Sequence, residues 1–120
     1  MKILVVDDDP TILRIASLSL VKKGGHEVLT AAGGAEALAL AAQAAPDLLL
    51  LDMNMPGLDG YETCRAFKAD PRLAAIPVIF LSAETGPAEA ARRGSAGALG
   101  FIAKPFNPAT LNDQVLAMLR

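Results

Sequence analysis

The sequence predicts an α/β protein, a doubly wound parallel sheet of five strands with five helices. Three observations carry the prediction. Wholly apolar runs, Ile3-Leu4-Val5-Val6, Leu48-Leu49-Leu50-Leu51 and Val78-Ile79-Phe80-Leu81, recur along the chain. Runs without a polar face are what strands covered on both sides of a parallel sheet require. The stretches between strands carry helical spacing, and these connections are crossovers long enough for parallel pairing.

At 120 residues the chain reads as a single domain over 1–120. With 52% hydrophobic and 20% charged residues, its composition is that of a soluble globular protein. A net charge of −2 with scattered basic residues argues against direct nucleic-acid binding. No apolar run approaches the ~20 residues of a membrane span, and no signal peptide precedes Lys2, so a cytoplasmic protein without membrane contact is expected. The lone Cys64 excludes an internal disulfide and suits a reducing compartment; it reads as a small buried apolar residue.

The first strand, Ile3 to Val6, ends in Asp7-Asp8-Asp9. Pro10 fits the first turn of a helix capped by Asp9 and running to about Lys22, with Ile12, Ile15, Ala16 and Leu20 inward. Gly24-Gly25 stops it. His26 to Ala31 is a short strand, and Ala35 to Ala45 is a helix of strong formers ended by Pro46. The central strand, Leu48 to Leu51, delivers Asp52 and breaks at Pro56-Gly57. Asp59 caps a third helix reaching Ala69, with Tyr61, Cys64 and Phe67 inward. Pro77 to Ser82 is the fourth strand, its proline at the first position as strands require. A short helix is expected from Pro87 to Arg93. Phe101 to Ala103 is the fifth strand, and Pro108 to Arg120 the last helix, with Leu111, Val115 and Met118 as its stripe.

Four strands thus end in polar groups: Asp7 and Asp8, Asp52, Ser82 and Lys104. In a parallel sheet these ends share one edge, where ligands bind in open α/β folds. Three neighbouring carboxylates repel one another, and a divalent cation relieves that repulsion. Oxygen-only donors favour Mg2+. Lys104 opposite supplies the positive charge that stabilises a phosphoryl group in transfer. The carboxylate between metal and lysine, Asp52, is the nucleophile candidate.

The segments VVDDD at 5–9, LLLLDMNMPGLDG at 48–60, FLSAE at 80–84 and GFIAKPF at 100–106 together resemble the receiver domain of two-component response regulators, in its chemotaxis-regulator-like form. The resemblance covers essentially the whole chain. It implies a flavodoxin-like sheet with strand order 2-1-3-4-5. It makes Asp52 the phosphoacceptor, with Asp8 and Asp52 as direct Mg2+ ligands, Asp7 acting largely through bound water, and Asn54 giving its main-chain carbonyl. Ser82 resembles the hydroxyl that turns to the phosphoryl oxygen, Lys104 pairs with the phosphoryl group, and Phe101 takes the place of the switching aromatic. Asn54 and Glu84 hold the positions that tune dephosphorylation. The implied function is a switch that accepts phosphate from a sensor histidine kinase or a histidine phosphotransfer protein. It then alters the surface of the fourth helix, fifth strand and last helix to control a partner or output domain. It is not an enzyme beyond catalysing its own phosphorylation and dephosphorylation. The resemblance also implies a cis Lys104-Pro105 bond.

A different class using an Asp nucleophile, the haloacid-dehalogenase-like phosphatases and phosphotransferases, needs a second acid two residues on. Asn54 stands there and cannot serve as a general acid. A flavin carrier would need a Ser/Thr/Gly-rich loop after the first strand, where Asp7-Asp8-Asp9-Pro10 would repel phosphate. His26 is expected to be solvated. The segment from Ser82 to Ala98 has no apolar side chain larger than Ala except Pro87, so its helix is expected to be the least protected.

Overall fold

The computed structural model describes residues 1–83, 94 and 96–119. Five strands form one parallel sheet: β1 (Lys2–Val6), β2 (Glu27–Ala31), β3 (Leu48–Asp52), β4 (Val78–Ser82) and β5 (Gly100–Ala103), in the order β2-β1-β3-β4-β5. Among the described residues there are four helices: α1 (Pro10–Gly24), α2 (Gly34–Ala44), α3 (Gly60–Ala69) and α4 (Leu111–Leu119). The short helix expected from Pro87 to Arg93, and Glu84 with it, lie outside the described residues.

Pleating divides the core in two. Ile3, Val5, Leu48, Leu50, Ile79, Leu81 and Ile102 face α1 and α4, packing on Ala16, Leu20, Leu111 and Val115. Leu4, Val6, Leu49, Leu51, Val78 and Phe80 face α2 and α3, packing on Ala37, Ala41, Tyr61, Cys64 and Phe67. The four leucines of β3 are wholly buried because both faces of the central strand are covered.

The helix ends follow the expected chemistry. Asp9 caps α1 by accepting from the Thr11 N–H at 2.9 Å, and Gly25 closes it in the left-handed conformation at φ 64°. Asp59 caps α3 in a reciprocal box with Glu62. The last helix departs from expectation. Its regular turns begin at Leu111, not Pro108, because Asn107 gathers the N–H groups of Ala109, Thr110 and Leu111 while the Pro108 carbonyl accepts from the Ser19 hydroxyl. His26 also departs. It is half-buried, its ring 2.7 Å from Asn112 Oδ1 and 3.3 Å from the Met1 amino group. The Lys104-Pro105 bond is cis.

Candidate functional site

The site lies where the sheet reverses direction. From β1 the chain winds outward to β2, then returns to place β3 on the other side of β1, opening a crevice at the ends of β1 and β3. Val6 pairs with Leu51, so the next residues along the two strands, Asp7 and Asp52, stand side by side. Side chains alternate along a strand, so Asp7, Asp52 and Lys104 continue the face of Val5, Leu50 and Ile102, above α1 and α4. Ser82 and Phe101 continue the opposite face, that of Phe80.

Lys104 Nζ donates to Asp7 Oδ2 and to Asp52 Oδ1, both at 2.8 Å. Both carboxylates are buried, Asp7 1% and Asp52 4% exposed, while Asp8 is exposed. Asp7 Oδ1 accepts from the Asp9 N–H at 2.9 Å, so both Asp7 oxygens are engaged. The Lys104 backbone N–H donates to the Ser82 carbonyl at 2.8 Å, extending the β4–β5 ladder by one bond. Gly60, the first residue of α3, lies against the end of β3. A Cβ there would stand 2.5 Å from the Asp52 carbonyl oxygen and 2.6 Å from Met53 Cα, so glycine allows the backbone approach that seats Asp52.

Burial pushes the Asp52 carboxyl above its ordinary value; the hydrogen bond from Lys104 pulls it down, and the negative charge of Asp7 pushes it up again. Burial acts on Lys104 in the opposite sense, toward a lower value. Its bonds to Asp52 and Asp7 outweigh that, and the ammonium is held above the ordinary lysine value.

Each of Asp7, Asp8 and Asp52 offers a carboxylate oxygen, these three oxygens lying within 4.8 Å of one another. Three carboxylates face one ammonium, an excess of two negative charges that one divalent cation balances. The donors are all oxygen, which suits a hard cation. Asn54 is exposed two residues beyond Asp52, and Ser82 is buried at the end of β4. Phe101 pairs with Phe80 across the sheet and is half-buried against the α2–α3 side of the core. The acids and the lysine are brought together; Ser82 and Phe101 flank them from the other face. Glu84 lies outside the described residues. Cys64 is accounted for structurally: its Sγ donates to the Ala96 carbonyl at 3.2 Å, and burial pushes its thiol up.

A doubly wound sheet that gathers three acids and a lysine at its reversal point defines an α/β module able to hold a cation and an anionic group side by side. Residues 3–116 match the response regulator receiver domain family, and the chain belongs to it. Chemotaxis protein CheY1 of Helicobacter pylori is 38% identical over 120 residues, covering 99% of this chain and 97% of that protein. Response regulator PleD of Caulobacter vibrioides is 39% identical over 119 residues, but the match spans only 26% of its length. The structure of chemotaxis protein CheY4 of Vibrio cholerae superposes with a TM-score of 0.92 at 38% identity, over 98% of this chain and 97% of that one. The chain is therefore a phosphorylation-dependent signalling switch and not a classical enzyme, with the acidic cluster at which receiver domains use a divalent metal. The haloacid-dehalogenase-like reading is set aside.

Proposed function

We propose that residues 1–120 act as one receiver unit in which Asp52 is the phosphoacceptor, served by Mg2+ at Asp7, Asp8, Asp52 and the Asn54 carbonyl. The observation that carries the reading is the double ion pair of Lys104, 2.8 Å from each of two buried carboxylates. That arrangement holds an ammonium beside a nucleophile that burial has made basic.

In the reaction, an Asp52 carboxylate oxygen attacks phosphorus in line with the donor. The P–N bond of a phosphohistidine breaks as the P–O bond forms, and the imidazole leaves with its electron pair and takes a proton. Bound Mg2+ would neutralise charge on the phosphoryl oxygens during transfer. Lys104 exchanges part of its bonding from Asp52 to a phosphoryl oxygen, so its charge is already in place as the transfer proceeds. The Ser82 hydroxyl turns to another phosphoryl oxygen, and Phe101 moves with it toward the core. The donor is a sensor histidine kinase or a histidine phosphotransfer protein. The altered surface, the segment before β5 with β5 and α4, meets a downstream protein or output domain, and no nucleic acid is bound directly. Water then hydrolyses the acyl phosphate at a rate set by Asn54 and Glu84, so the only reactions catalysed are the domain's own phosphorylation and dephosphorylation. The setting is the cytoplasm.

Incubation with acetyl phosphate tests this. One phosphate per chain is expected with Mg2+, and none after chelation or in Asp52→Asn. Undiminished incorporation in Asp52→Asn would refute the assignment.

A further inference from the structure

We propose that Ser19 is a positioning residue for Lys104: its hydroxyl ties the segment that follows Lys104 to α1 and so holds the ammonium on the acids. The inference rests on the phosphoacceptor reading and adds to it a residue remote from the reacting atoms.

Among the described residues, six polar or charged side chains are buried: Asp7, Ser19, Asp52, Thr63, Ser82 and Asn112. Asp7, Asp52 and Ser82 belong to the site. Thr63 closes on its own helix, its hydroxyl donating to the Asp59 carbonyl at 2.8 Å. Ser19 and Asn112 remain, and both lie on the seam where α1 meets α4. A buried hydroxyl is costly unless it is bonded. Ala16 and Leu20, on the same side of α1, fill the core without any such demand. The Ser19 hydroxyl has a definite partner, the carbonyl of Pro108.

That partner matters because of where it sits. The Lys104 backbone is fixed on one side by its bond to the Ser82 carbonyl. Three residues on, Asn107 draws in the N–H groups after it, and the Pro108 carbonyl reaches across to α1. The short segment after Lys104 is thus anchored at both ends. The far anchor, α1, is itself joined to the acids: its cap Asp9 donates its N–H to Asp7 Oδ1 at 2.9 Å. One helix therefore touches Asp7 at its start and the lysine-bearing segment at its middle. It sets the span across which Lys104 reaches Asp7 and Asp52. Without the tie the segment has more than one path, and the lysine is aimed correctly for only part of the time.

The test compares Ser19→Ala, Ser19→Thr and Ser19→Val in Mg2+-dependent phosphorylation by acetyl phosphate, with Leu40→Ala as a control. Leu40 packs on the opposite face of the sheet, so its truncation weakens the fold without touching the seam. The expected result is a maximal rate about three- to tenfold lower in Ser19→Ala and Ser19→Val, the factor a single net hydrogen bond supplies. KM for acetyl phosphate stays unchanged, since the loss falls on transition-state aim. Ser19→Thr, which keeps a hydroxyl at the volume of valine, recovers the rate, and Leu40→Ala keeps it despite lower stability. Equal rates in Ser19→Thr and Ser19→Val, or a matching loss in Leu40→Ala, would overturn the positioning role while Asp52 remains the acceptor. Failure of the wild type to take phosphate on Asp52 would overturn the underlying reading as well.

Discussion

Replacing Lys104 with methionine keeps an unbranched side chain one heavy atom shorter and removes the charge that holds two buried carboxylates together. One carboxylate oxygen from each of Asp7, Asp8 and Asp52 lies within 4.8 Å of the other two. At an effective dielectric constant of about 20, two bare charges at the outer limit of that range, 4.8 Å, repel by about 3.5 kcal/mol. The measured cost of stripping one partner from a buried ion pair is of the same size, about 3–5 kcal/mol. A domain of this size has a total stability of only about 5–15 kcal/mol. With a urea dependence of about 2 kcal/mol per molar, a loss of about 3 kcal/mol lowers the unfolding midpoint by about 1.5 M. The sign with pH follows from Asp52, whose folded-state value already lies above the ordinary 3.8 and rises further without the lysine. The folded Lys104→Met variant then binds more protons than its unfolded chain, so its stability rises as pH falls through the carboxylate range. Mg2+ replaces the missing charge and should stabilise the variant more than the wild type. Urea unfolding followed by circular dichroism, at pH 7 and pH 5 with and without Mg2+, reads all three effects. A variant as stable as the wild type in metal-free buffer at pH 7, or a loss that neither acid nor Mg2+ recovers, would refute the electrostatic reasoning.

Other outcomes follow from the same geometry. In Mg2+-free protein, NMR titration of the Asp52 carboxyl should give a midpoint above 3.8, and Mg2+ should move it down; a metal-free midpoint at or below 3.8 would contradict the burial argument. Gly60→Ala places a methyl group 2.5 Å from the Asp52 carbonyl oxygen, and overpacking of this kind should cost about 1–3 kcal/mol and slow phosphorylation; thermal melts and phosphate incorporation check both. Asn54→Arg and Glu84→Ala should each change the decay of the phosphoprotein severalfold, and unchanged decay in both would place control of its lifetime elsewhere.

The central strand was the most legible part of the chain. Four consecutive leucines admit one reading in an α/β sheet, and the acid that follows them falls at the ligand-binding edge. Convergence of Asp7, Asp52 and Lys104 at one edge was also readable, since each follows an apolar run and parallel strands end on the same side of the sheet; that they share one face follows from the register of the structure. Three features were not. Ser19 is buried beside the inward residues read for the first helix but was not among them, and its carbonyl partner, Pro108, lies 89 residues away in sequence. Asn112 follows Leu111 but lay outside the apolar stripe read for the last helix, and its bond to His26 joins elements that no local pattern relates. His26 looked solvated because two glycines precede it, yet the chain turns its ring onto α4. Each depends on a side chain meeting a distant backbone or side-chain atom, which local periodicity does not encode. The start of the last helix was misplaced for the same reason, because the Pro108 carbonyl is taken by Ser19.

The most direct test maps the phosphate after reaction with acetyl phosphate and Mg2+. Borohydride reduction converts an aspartyl phosphate to homoserine, and mass spectrometry of the peptides then locates the change. Homoserine at position 52 alone, in protein whose phosphate is labile to base, is the expected result. Phosphate carried stably on Ser82 or His26, with residue 52 still aspartate, would contradict the assignment of Asp52 as the acceptor.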